Sequence, residues 1–135
     1  MTKRQKIAFR AIFFFYVAAV LFLCFGKFDS APSIPWTLFG LPSDKLVHFC
    51  MFFPFPILAF LAFDQFTETL PHTLLFSGIT LVTGLLLALG TEWGQAHLTN
   101  YRSGDSLDLL ADTLALVLST VLVIFWDIRK QKKKA

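Results

Sequence analysis

The chain has 135 residues, of which 56% are hydrophobic, 16% aromatic and only 16% charged, and its mean hydropathy is +0.65. A soluble domain of this length needs far more polar surface than that composition supplies, and no stretch remains for a second, soluble domain. The net charge of +3 does not point to nucleic acid, because Lys3, Arg4, Lys6 and Arg10 flank the first apolar run and Arg129, Lys130, Lys132, Lys133 and Lys134 follow the last, the placing that marks a cytoplasmic membrane face and meets anionic lipid.

A bilayer core takes about 20 mostly apolar residues per helical span, and four stretches qualify: 7–25, 46–63, 73–95 and 107–126. The first is interrupted only by Arg10. It is longer than the core of a signal peptide and no A-x-A cleavage site follows, so it reads as a retained span. Gly26 to Ser43 is a loop broken by Pro32, Pro35, Gly40 and Pro42. Trp36 within it suits the membrane–water interface.

Asp44 or Ser43 caps the second span, and Lys45 and His48, three residues apart, share one face. Pro54 and Pro56 interrupt that helix, since each removes a backbone donor and clashes with the preceding turn. Asp64 to His72 is a short polar connection. In the third span Gly84, Ala88 and Glu92 repeat every four residues. Such a small-residue stripe lets helices approach closely and turns Glu92 toward the bundle. His97 to Gly104 turns the chain, with His97 wetted. Asp105 then reads as an N-cap with Asp108 at N3, a carboxylate variant of the capping box. Asp108, Asp112 and Ser119 fall close to one face of the fourth span. Cys24 and Cys50 lie inside apolar runs without CxxC or metal spacing, which predicts buried thiols and no disulfide or redox pair.

The predicted architecture is therefore all-α: a polytopic membrane protein of one domain, a bundle of four transmembrane helices with amino and carboxy termini in the cytoplasm. Lys45, His48, Glu92, Gln95, Arg102, Asp105, Asp108 and Asp112 then all come from the outer ends of spans two to four. Remote residues converge at one depth, and ionisable groups at the edge of hydrocarbon are functional candidates.

At these residues the chain resembles the VanZ-like family of small bacterial membrane proteins. The resemblance is carried by DKLVHF (Asp44 to Phe49), TEWGQ (Thr91 to Gln95), Arg102–Ser103 and SLDLLADTLA (Ser106 to Ala115), and it covers about two-thirds of the chain. The family pattern usually reads Asn at Asp112 and often Gly at Ala115. It implies a multi-pass protein of the bacterial cytoplasmic membrane, related to one tied to resistance against teicoplanin, a lipid-tailed glycopeptide.

Three readings of the cluster stand open. In the first it binds an anionic or amphiphilic envelope ligand, a lipid or lipoglycopeptide, on the extracytoplasmic face. Lys45, Arg102 and protonated His48 hold the headgroup, and Glu92, Gln95, Ser103, Asp108 and Asp112 complete the site. In the second it is an enzyme, with Glu92 and Asp108 as base and acid and His48 as shuttle, or with His48, Glu92, Asp108 and Asp112 holding a divalent metal. HExxH and GxSxG signatures are absent, and no metal or cofactor is assigned. In the third, Lys45–Asp108 and Arg102–Glu92 are ion pairs that only join helix ends. Membrane lipids are the expected surroundings, nucleic acid is not a partner, and the small residues of span three also suit a second copy of the chain. Charges at one face and not at the midplane argue against a proton-coupled transporter.

Overall fold

The computed structural model describes residues 1–26, 37–38, 41–100 and 104–135. Helix α1 covers Lys3–Phe25. A two-residue antiparallel pairing follows, β1 (Thr37–Leu38) with β2 (Leu41–Pro42). Then come α2 (Ser43–Phe52), α3 (Pro54–Ala62), a single 3₁₀ turn at Asp64–Phe66, α4 (Leu70–Leu98) and α5 (Ser106–Lys134). Among the described residues four helical stretches are long and apolar enough to cross a membrane: Lys3–Phe25, Asp44–Ala62, Leu70–Leu98 and Ser106–Lys134. Without water in hydrocarbon, a helix is the local way to satisfy every backbone group, and these runs supply it.

Helices α1, α4 and α5 are longer than their apolar runs, and at α1 and α5 polar chemistry extends the ends. Thr2 caps α1 in a reciprocal box: its hydroxyl accepts from the Gln5 N–H at 3.2 Å and its own N–H donates to Gln5 Oε1 at 2.8 Å. The basic tail, expected beyond the fourth span, continues α5 to Lys134, where cations suit the helix C-terminus. His97, expected in a loop, lies in the last turn of α4. There its Nδ1–H donates to the Trp93 carbonyl at 2.9 Å and its ring stacks on Trp93.

The expected interruption falls at Phe53, between α2 and α3. Pro54 and Pro56 have no N–H to return to the preceding turn. At this break the Tyr16 hydroxyl of α1 donates to the Met51 carbonyl, so a neighbouring helix supplies a donor where the chain's own ladder fails.

Helix α5 is central, packed against α4, α2 and α3, while α1 lies on α3. The small core comprises Val20, Cys24, Phe52, Phe55, Ala88, Ala115 and Leu116. Outward faces stay apolar, as at Phe15, Leu75, Leu86 and Phe125, the pattern of a bundle solvated by lipid tails. Cys24 is buried, but Cys50, also expected inside, is exposed. Gly84 and Ala88 line the α4–α5 seam as their spacing predicts. A Cβ at Gly84 meets Leu116 Cδ2 at 2.7 Å and Phe55 Cδ1 at 3.1 Å.

Contacts fix the ends. Lys6 Nζ lies 3.3 Å from Asp64 Oδ1, the Arg10 guanidinium donates to the Ala62 carbonyl, and Gln131 Nε2 donates to the Thr67 carbonyl. Both termini therefore share one end of the bundle with the α3–α4 connection. The start of α2, the end of α4 and the start of α5 make the opposite end. At the terminal end, buried Asp127 accepts from Thr73 Oγ1 at 2.5 Å and from Gln131 Nε2 at 2.9 Å, a polar latch between α4 and α5.

Replacing Gly84 with Leu drives a side chain into Leu116 and Phe55. The expected loss is about 2 kcal/mol, read as a lowered thermal unfolding midpoint in detergent, whereas the same change at Gly78, which has nothing within 4 Å, leaves the midpoint unmoved.

Candidate functional site

Lys45 is where the starts of α2 and α5 meet. It stands in the first turn of α2, and its Nζ lies 2.9 Å from Asp44 Oδ2, 2.5 Å from Asp105 Oδ2 and 2.5 Å from Asp108 Oδ1. An ammonium has three N–H donors and no acceptor, so this geometry uses its full donor capacity on carboxylates. Asp44, expected as a cap, sits inside the first turn and pairs with Lys45 instead.

One turn further along α2, His48 carries the network inward. Its Nε2 lies 3.4 Å from Asp108 Oδ2 and its Nδ1 3.1 Å from Asp112 Oδ1. Asp108 and Asp112 are four apart on α5 and so present both carboxyls to the same side of α2. Depth increases along this chain: side-chain exposure falls from 58% at Asp44 and 41% at Asp105 to 11% at Asp108 and 0% at Asp112. The result is a polar funnel that starts at the bundle's edge and ends between α2 and α5.

Glu92 joins the funnel from α4 and corrects the expected capping box. Asp105 caps α5 as predicted, accepting from the Leu107 N–H at 2.9 Å. Asp108, however, does not return to the Asp105 N–H, because it is held by Lys45 and faces His48. Glu92 Oε1 accepts that N–H in its place, so the cap is completed by another helix. Gly104 makes this approach possible: a Cβ there meets Ala96 Cβ at 2.9 Å and Glu92 Oε1 at 3.4 Å. At Asp105, which stands before α5, the Lys45 ammonium and then the Leu107 N–H hold the carboxyl below the usual aspartate range.

The other expected site residues divide. Gln95 is buried and its amide donates to the Cys24 carbonyl at 2.9 Å, clamping α4 to the end of α1, so its identified partner lies outside the funnel. Arg102, Ser103 and Trp36 lie outside the described residues. Within the described residues five carboxyls (Asp44, Glu92, Asp105, Asp108, Asp112) face one ammonium and one imidazole. Lys45 is thus already committed to carboxylates and does not stand open to an anion. Two buried oxygens of the set, Glu92 Oε2 and Asp112 Oδ2, have no hydrogen-bond partner. Among the described residues one apolar groove, bounded by Ile57, Leu61, Leu122, Val123 and Trp126, lies toward the terminal end and is lined by no ionisable group.

The Asp127–Thr73–Gln131 latch was not among the expected sites. The signal was present: Asp127 follows Ser119 by eight residues and Asp112 by fifteen, which continues the same buried face of α5.

No family model matches the chain, and no solved structure does. An uncharacterized protein of Schizosaccharomyces pombe is 29% identical over 114 residues, 84% of this chain and 64% of that protein. The chain thus spans a little under two-thirds of that relative's length. Because this relative is fungal, it gives no support to a bacterial source.

Lys45→Met strands the largely buried Asp108 without its cation. The expected cost is about 3 kcal/mol in reversible unfolding in detergent, and adding Asp108→Leu recovers most of it, because an apolar pair replaces the ion pair better than a lone charge does.

Proposed function

We propose that this is an integral membrane protein whose charged funnel binds the headgroup of an amphiphile while the tail stays in lipid. The observation that carries the reading is the graded path from exposed Asp44 to fully buried Asp112. Exposed Val47, Leu107 and Leu110 sit between these charged positions in sequence and offer an apolar surface beside the polar mouth. A ligand with both characters fits such an edge. The excess of carboxyls favours a headgroup bearing a cation or several donors over a purely anionic one, and by residue type Arg102 is the candidate partner for any carboxylate or phosphate.

Orientation follows from charge. The basic ends share one side of the bundle, and the positive-inside rule makes that side cytoplasmic. The funnel then opens outward. Trp93 and Trp126, exposed near opposite ends of the bundle, stand where the two interfaces fall, and Lys130 lies 5.4 Å over the Trp126 ring. With the resemblance to VanZ-like proteins, the reading becomes a protein of the bacterial cytoplasmic membrane that engages a lipoglycopeptide of the teicoplanin type, or an envelope lipid, at its outer face. In nanodiscs the wild type is expected to bind teicoplanin saturably. Glu92→Gln and Arg102→Ala are expected to weaken this by at least about tenfold, the loss of one charge-assisted contact, while remaining folded and present in the membrane. Unchanged affinity in both variants defeats the proposal, and loss of both from the membrane assigns them to structure.

The second reading is catalysis, favoured by His48 set between Asp108 and Asp112, an arrangement suited to moving a proton. On that reading the purified protein hydrolyses a polyprenyl phosphate or peptidoglycan precursor, and Asp108→Asn lowers the rate by about a hundredfold or more. Product release equal to an empty-nanodisc control removes it.

A further inference from the structure

We infer that His48, Glu92 and Asp108 form a binding site for a divalent first-row metal ion such as Zn²⁺ or Mn²⁺, with Asp112 positioning the imidazole. The inference deepens the headgroup reading, since it concerns the same funnel.

One ligand atom from each of the three residues lies within 4.8 Å of the other two, so side-chain shifts of a few tenths of an ångström bring all three to metal–ligand distances of about 2.0–2.2 Å from a single ion. The residues come from α2, α4 and α5, so the site exists only in the assembled bundle.

Acidic clusters are common without ions, and the decisive features here are the orphan oxygens. Glu92 is nine-tenths buried. Its Oε1 is committed to the Asp105 N–H, and its buried Oε2 has no hydrogen-bond partner. A buried carboxylate oxygen without a donor is costly, and a cation removes that cost.

The imidazole supplies the third ligand. Nδ1 lies 3.1 Å from Asp112 Oδ1, and a donated Nδ1–H fixes the tautomer with the lone pair on Nε2. Nε2 faces Asp108 Oδ2 at 3.4 Å. In that tautomer two electron-rich atoms face each other, and a cation between them would relieve the repulsion. A carboxylate behind a metal-bound histidine is the usual way such a ring is oriented and its basicity raised. One imidazole nitrogen with two carboxylate oxygens suits Zn²⁺ or Mn²⁺ better than Mg²⁺ or Ca²⁺, which favour oxygen alone. The ion offsets part of the carboxyl excess and keeps open positions toward the mouth, where a phosphate or carboxylate of a headgroup can enter.

The test uses the full chain in nanodiscs of zwitterionic lipid, without any amphiphile added. Calorimetry with Zn²⁺ is expected to give one ion per chain. Pulsed electron paramagnetic resonance with Mn²⁺ is expected to show ¹⁴N coupling from one imidazole. His48→Gln abolishes that coupling and weakens Zn²⁺ binding by at least tenfold. Asp112→Asn keeps the coupling and weakens binding by about tenfold, the size of a lost outer-shell contact. Glu68→Gln, on the exposed connection at the terminal end, changes neither. No saturable Zn²⁺ binding, or Mn²⁺ bound without nitrogen coupling in the wild type, overturns the proposal whether or not the variants fold. Because no amphiphile is present, that failure leaves the headgroup reading standing, and loss of teicoplanin binding in its own assay leaves the metal site standing.

Discussion

A single ammonium group holds carboxylates from two different parts of the chain at the edge of the apolar bundle. Lys45 reaches Asp44 beside it, Asp105 at the cap of α5 and Asp108 one turn inside that helix. Helices in lipid gain little from burying apolar surface against one another, because the tails outside are equally apolar. Directional polar contacts therefore do much of the work of choosing which helix ends meet. Here they bring the start of α2 against the start of α5, and Glu92 draws the end of α4 into the same place through the Asp105 N–H.

The same contacts that assemble the bundle also compose the site. Removing water from these groups raises the cost of leaving any of them unmatched. Most are matched: Gln95 serves the Cys24 carbonyl, and Asp127 serves Thr73 and Gln131 at the far end. Buried oxygens without a hydrogen-bond partner also occur at Asp64, Gln65, Ser119 and Thr120, and those of Glu92 and Asp112 differ from them in belonging to one cluster of carboxyls. The latter two lie at one end of the molecule, in one funnel, beside the histidine that links the two aspartates.

Much of this was legible in the sequence. Apolar runs of sufficient length located four helices, the prolines located the break at Phe53, and the Gly84–Ala88–Glu92 spacing turned Glu92 inward. The pairing of Lys45 with Asp108 was one of the three readings that charges at helix ends on one side left open, and the pair forms. Local rules failed where a distant segment competed. Asp108 sits at the capping-box position, yet Lys45 claims it and Glu92 takes its role, a substitution no short window reveals. Gln95 lies in the motif beside Glu92 but serves the backbone of α1, since residues three apart on a helix need not share a neighbour. Helix ends were underestimated because hydropathy reports the lipid-facing length, whereas capping at Thr2 and the cationic tail of α5 extend the helices into water.

Helix α5 is 29 residues long, about 43 Å at 1.5 Å per residue, and so exceeds a hydrocarbon core of about 30 Å. Its two ends are oppositely charged: carboxyls gather in the first two turns and lysines in the last. That separation complements the helix's own dipole. In the orientation proposed above, that separation would also couple the helix to an energised membrane. Each elementary charge carried across the full potential is worth about 2.3 kcal/mol per 100 mV, and with the lysines on the negative side the field would pull them inward while pushing the carboxyls outward. A resting voltage would then favour the upright helix over any arrangement that draws its acidic tip into the bilayer.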